Sequence, residues 1–164
     1  LNTQFPTIQA GTTMNNTTHY KFRGIATSAE YADLAERYEA DAEYEAGTVV
    51  KIGGDKEITQ TTQQMDTDVF GIVSTSPGFE MNAGAGTDAT HPFVALAGRV
   101  PCKVIGKVTK GDRMISSDTP GHAMSISEPI PATRGVVYYE VIGRALESKD
   151  TEDAGTIEVV VGAK

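Results

Sequence analysis

Within residues 116–122 the chain reads Ser-Ser-Asp-Thr-Pro-Gly-His, which gathers hydroxyls, a carboxylate and an imidazole in seven positions. Those are the groups of nucleophilic catalysis, where a histidine deprotonates a serine and a carboxylate orients the histidine. That chemistry needs the three side chains aimed at one another, usually from distant parts of a fold. Closeness in sequence does not supply the aim, and no Gly-x-Ser-x-Gly elbow is present to present a serine. Asp118-Thr119-Pro120-Gly121 has instead the composition of a turn, with Pro fixing φ and Gly free to take positive φ. The stretch predicts a hairpin turn, with Ser116, Ser117 and Asp118 as the nearest thing to a reactive set.

Other chemistries find less to use. His19, His91 and His122 are far apart, none at i, i+4 from another, and Cys102 is the single cysteine, so neither a zinc site nor an intrachain disulfide is expected. Asp66 and Asp68 stand two apart, but no Gly and later Glu complete a calcium loop. Gly84-Ala85-Gly86 opens no helix and no Gly-Lys-Ser/Thr follows a glycine run, so no phosphate cradle forms. Paired carboxylates for sugar hydrolysis have no specific signature here, and the chain lacks Trp, the usual sugar-stacking surface. The expectation is a chain without cofactor or resident metal, and not an enzyme acting on an outside substrate.

Charge narrows the partners. The 164 residues carry a net charge of -8, with no cluster of Lys and Arg to displace counterions from a nucleic-acid backbone or to dock on anionic lipid. No apolar run approaches the ~20 residues that span a bilayer, and no signal peptide is visible. The chain begins at Leu1 rather than Met, which suits a processed product or a piece of something larger.

The elements that must position any site read as β. Strands are expected over 48–52, 57–60, 69–73, 93–96, 100–108, 113–115, 136–142 and 156–161, with turns at Gly53-Gly54-Asp55, Ser76-Pro77-Gly78 and Gly111-Asp112. Residues 82–90 form a glycine-rich loop, one of two loops (with 119–131) suited to recognition on a β scaffold. Alternation around Val100, Cys102 and Val104 puts the thiol on an inward face, as a small buried apolar group. Short strands between Gly, Pro and Asp turns predict a mainly β fold, a compact barrel or sandwich over 47–164.

Residues 1–46 differ. Up to Lys21 the composition is Thr-, Asn- and Gln-rich with little to bury, an extended arm that needs something to pack on. Thr27 and Glu30 have capping-box spacing, and Tyr31, Leu34, Ala35, Tyr38 and Ala42 follow at helical intervals, so one short helix is expected. Seven carboxylates in its sixteen residues repel one another, so this helix also calls for a partner. Phe22, Tyr31, Leu34 and Tyr38 are the candidate oligomer interface.

The run Phe22-Arg23-Gly24-Ile25-Ala26-Thr27-Ser28-Ala29-Glu30-Tyr31-Ala32-Asp33-Leu34-Ala35-Glu36-Arg37-Tyr38 resembles a motif near the C-terminal ends of phage tail fibres and neck appendages. So do Tyr44-Glu45-Ala46-Gly47-Thr48-Val49-Val50, Phe70-Gly71-Ile72-Val73-Ser74-Thr75-Ser76-Pro77 and Gly111-Asp112-Arg113-Met114-Ile115-Ser116-Ser117. Similar domains include the peptidase G2, or intramolecular chaperone, group, some of which help a trimeric fibre assemble and then cut themselves free. The resemblance implies a virion component of the tail or capsid surface, a homotrimer meeting other virion proteins. Self-cleavage, capsid decoration and host-glycan binding are its alternatives. A three-fold axis would let three narrow stripes bury one another.

Overall fold

The computed structural model describes residues 33–126 and 138–162. Among the described residues there are ten strands and no helix. They are β1 (Asp33–Arg37), β2 (Val49–Ile52), β3 (Ile58–Gln60), β4 (Val69–Val73), β5 (Phe79–Met81), β6 (Phe93–Val104), β7 (Arg113–Ser116), β8 (Ala123–Ile126), β9 (Gly143–Ala145) and β10 (Gly155–Val161).

The long strand β6 organises everything. Its second half pairs antiparallel with β10 from Gly98↔Val161 to Val104↔Gly155, and meets β8 at Val104↔Ala123. Since β10 pairs β9, β9 pairs β7 and β7 pairs β8, these five strands close into a barrel, which leaves none of them an open edge. The first half of β6 pairs instead with β4 and β1. Gly98 stands at the hand-over with φ of 107°, a conformation only glycine takes without steric cost.

A second ring shares the first half of β6. From β6 the sheet runs through β4 and β2 to β3, whose Ile58 bridges Ala40, just beyond β1; β1 then returns to β6. The wall formed by β2, β4 and β6 is therefore apolar on both faces. Val49, Ile72 and Ala95 point into one core cluster with Val100, Cys102, Val104, Met114 and Val159. Their chain neighbours Val50, Val73 and Val94 point into the other, with Ile58, Tyr38, Tyr44, Phe70 and Leu96. Successive side chains of a strand alternate between faces, so a doubly buried strand must be apolar at every position. This is why Val49-Val50 and Ile72-Val73 are unbroken apolar pairs.

The β class expected from sequence stands, and the barrel is its form. The short helix does not: Asp33–Arg37 is a strand, paired parallel with β5 and antiparallel with β6. Residues 27–32, the start of that expected helix, lie outside the described residues. The reason is tertiary. Ala35 is fully buried between β5 and β6, and two sheet neighbours outweigh the modest propensity of a short acidic helix. Strands expected at 93–96 and 100–108 are one strand, bridged through Gly98 and ending at Val104. Residues 138–142 are not strand, and β9 begins at Gly143. The short strands β5 and β8 went unread.

Candidate functional site

Two of the four expected interface residues fall within the described structure. Phe22 and Tyr31 lie outside it. Leu34 is half-buried on β1, registered with Phe79 of β5 on one side and Ala97 of β6 on the other. Phe79 is 59% exposed, a large apolar side chain on a strand that among the described residues pairs only with β1. An edge strand carrying an outward phenyl group is the kind of surface another chain covers. Tyr38 is committed inward instead. Its ring meets Phe70 edge-on, with centroids 5.2 Å apart, and its hydroxyl donates to Glu36 Oε2 at 2.9 Å. Burial, and then the hydrogen bond to Glu36, push the phenol up to about 12.

The segment 116–122 is a hairpin turn held by its own hydroxyl. Ser117 is fully buried, and its Oγ lies 2.8 Å from the His122 carbonyl and 3.2 Å from that of Thr119. The Thr119 amide sits 3.2 Å from the same Oγ. The His122 imidazole places Nδ1 2.8 Å from the Pro120 carbonyl, not on a serine. Asp118 points to solvent. Hydroxyl, imidazole and carboxylate are thus brought near in space but not aimed at one another, and Ser117 works as a turn clip.

Asp66 carries the polar junction between the two rings. It is 1% exposed and accepts from Lys51 Nζ of β2 at 2.8 Å and from the Asp68 amide at 3.0 Å. Its own amide donates to Ser116 Oγ of β7 at 2.8 Å. The Asp66–Asp68 spacing is thus an Asx-type turn, with the charge met by lysine. Among the described residues no three His, Cys, Asp or Glu side chains converge as a metal site would require. Cys102 is fully buried, and loss of water pushes its thiol up to about 12, so it is an inert core group.

A cleft opens beside the second core. Tyr44 and Ala46 form one side, Val73, Ser74, Thr75 and Pro77 another, and Asp88, Pro92 and Phe93 the third. Arg37 fixes the loop that carries Asp88. Its guanidinium lies 3.9 Å above the Phe93 ring, pairs with Asp88 at 2.8 Å and donates to the His91 carbonyl. Gly86 lets that loop fold tightly, since a Cβ there would stand 2.3 Å from His91 Nδ1. Sequence reading singled out the 82–90 loop but not this cleft, because Arg37, Asp88 and Phe93 meet only through the β1–β6 pairing.

No family model matches the chain, and no curated protein sequence does. Among solved structures, the fold is similar to that of the C-terminal fragment of bacteriophage phi29 gene product 12. The TM-score is 0.52 at 14% identity, over 79% of this chain and 99% of that fragment. The class defined here is therefore a β-barrel fold shared with a phage protein. At that identity the likeness is one of fold.

Proposed function

We propose that this chain is a structural component of a virion, a β-rich module of a phage tail fibre or appendage that works as a homotrimer. The observation that carries the reading is the fold likeness to the phi29 fragment, which spans nearly all of that fragment. The tail-fibre resemblance of residues 22–38, which lies in the residues themselves, supports it independently. The exposed Phe79 beside half-buried Leu34, on a strand edge left open among the described residues, supports a neighbour at that end. Phe22 and Tyr31 are proposed to join that contact. Tyr38 contributes from the rear, by fixing β1 on the second core.

The geometry of the 116–122 turn favours a structural role over self-cleavage through Ser117 and Asp118. The peptidase G2 likeness is accordingly proposed for the assembly side of that group's behaviour. Native mass spectrometry of the full chain tests the reading: three chains of 17.4 kDa give a species of about 52 kDa. Phe79→Asp and Leu34→Asp should each shift that species toward monomer. A monomer at micromolar concentration for the unaltered chain would refute the oligomeric role.

A further inference from the structure

We propose that the loop between β9 and β10 is a monovalent-cation site, filled by the chain's own Lys149 ammonium. Once that side chain is cut back, the same oxygen cage takes a free alkylammonium or potassium ion from solution.

The cage is made of backbone. Lys149 Nζ donates to the Gly106 carbonyl at 3.1 Å, to the Thr151 carbonyl at 2.7 Å and to the Asp153 carbonyl. An ammonium has three N–H donors, so all three are used. The acceptors come from two stretches, since Gly106 follows β6 and the other two lie just before β10. Among the described residues no carboxylate pairs with Lys149, and Glu152 pairs instead with Lys107, at 3.7 Å. Carbonyl oxygens converging on one positive centre can stand in for the hydration shell of an ion. Their separation selects the ion. Calcium sits about 2.3–2.6 Å from its oxygens and magnesium about 2.0–2.1 Å, usually with carboxylates among them. The Gly106 and Thr151 contacts are longer, at 3.1 and 2.7 Å, and all three oxygens are uncharged. A larger, singly charged ion fits.

Bonds that do not involve the ammonium hold the cage in shape. Val108 and Lys149 exchange both backbone hydrogen bonds, at 2.9 and 2.8 Å, and the Gly106 amide donates to the Glu152 carbonyl at 3.1 Å. The Thr151 hydroxyl donates to the Asp153 carboxylate and, with the Asp153 amide, holds that carboxyl below its usual range. The oxygens therefore keep their places when the ammonium is removed. Gly155 leaves the lysine stem its path, since a Cβ there would stand 2.7 Å from Lys149 Cε. Charge acts the same way. Residues 147–153 carry Glu147, Asp150, Glu152 and Asp153, with Lys149 the sole basic residue, and their field favours a cation at the centre. Lys149 supplies one permanently, close to where β10 sets off from Gly155 to pair with Val104.

The test is thermal unfolding of the full chain and of Lys149→Ala, followed by circular dichroism. Loss of the tethered ion should lower the midpoint by about 5 °C or more. Propylammonium, which replaces the missing atoms from Cγ to Nζ, should return at least half of that loss, saturably, by about 200 mM. Potassium should return part of it, and calcium at equal ionic strength no more than potassium. Tetramethylammonium, equally charged but without N–H donors, should return none. On the unaltered chain, whose site is full, propylammonium and tetramethylammonium should act alike. A second measurement needs no variant. Acetylation of the unaltered chain by an amine-reactive ester, read by peptide mass spectrometry, should label Lys149 about tenfold or more slowly than exposed Lys110. The proposal is overturned if Lys149 is labelled as fast as Lys110, or if Lys149→Ala melts with the unaltered chain. It is equally overturned if propylammonium does no more for the variant than tetramethylammonium, or if calcium outdoes potassium.

Discussion

Asp66 sits where three parts of the chain converge: Lys51 on β2, Ser116 on β7, and the Asp68 amide in the loop between β3 and β4. Consider Asp66→Ala. Lys51, whose side chain is 22% exposed, loses its carboxylate, and the Asp68 amide loses its acceptor. Removing one member of a buried pair costs about 3–5 kcal/mol, because the other charge stays behind uncompensated. Partial access to water lets the Lys51 ammonium recover some hydration, which places its share near the low end, about 3 kcal/mol. The orphaned amide adds about 1 kcal/mol. The expected loss is therefore about 4 kcal/mol, a large part of the stability of a domain this size. Asp66→Asn keeps the amide's acceptor but still leaves Lys51 without a counter-charge, and should cost about 3 kcal/mol. Lys51→Met combined with Asp66→Asn should cost less than the two singles added, since each removes what the other needs. Urea unfolding followed by far-UV circular dichroism at pH 7 reads all four. The reasoning fails if Asp66→Ala stays within about 1 kcal/mol of the unaltered chain, or if Asn is as damaging as Ala.

The remaining predictions concern the barrel and its turns. The Cys102 thiol is raised from 9.0 to about 12 in the fold, so the unfolded chain ionises first as pH rises. Its contribution is whole below pH 9 and is lost between 9 and about 12, at about 1.4 kcal/mol per pH unit within that window. Cys102→Ala should flatten the alkaline limb of a stability-versus-pH curve. Tyr38→Phe should flatten it less, since that ring is only half-buried. Gly143→Ala would set a Cβ 2.1 Å from the Val160 carbonyl across the β9–β10 pairing. Backbone cannot give way there, so this one methyl should cost several kcal/mol, about 3 or more, or abolish soluble expression. Ser117→Ala should lower the thermal midpoint by a few degrees, about 1 kcal/mol, through loss of the turn clip. It should leave the chain's size on a denaturing gel unchanged, and a size change would reopen the catalytic reading.

How much of this was legible beforehand depends on which contacts set each feature. Strand β4 was read at its exact bounds, and β2, β3, β7 and β10 to within a residue at each end, because apolar runs between turn residues are a local signal. The inward face of Val100, Cys102 and Val104 followed from alternation alone. Leu34 and Tyr38 show where local signals fail. A spacing of four puts two residues on one face of a helix of about 3.6 residues per turn, and equally on one face of a strand. Ala35 separates the two cases, since it shares the helical stripe but takes the opposite face of a strand, and here it is buried on that other face. Nothing in the segment itself reports that β5 and β6 are waiting on either side.

The sequence by itself determined the β class, most strand positions, the turn at 116–122 and the acidic character of the chain. Each of these depends on residues close together in the chain or on their sum. Only the tertiary structure decided that β6 would serve two rings, that its wall would be buried on both faces, and that the acidic stripe would be a strand. It alone brought Arg37, Asp88 and Phe93 together, and joined Asp66 to Lys51 and Ser116. Those arrangements join residues 15 to 56 positions apart, and no local pattern specifies which partner a strand edge or a buried charge will find.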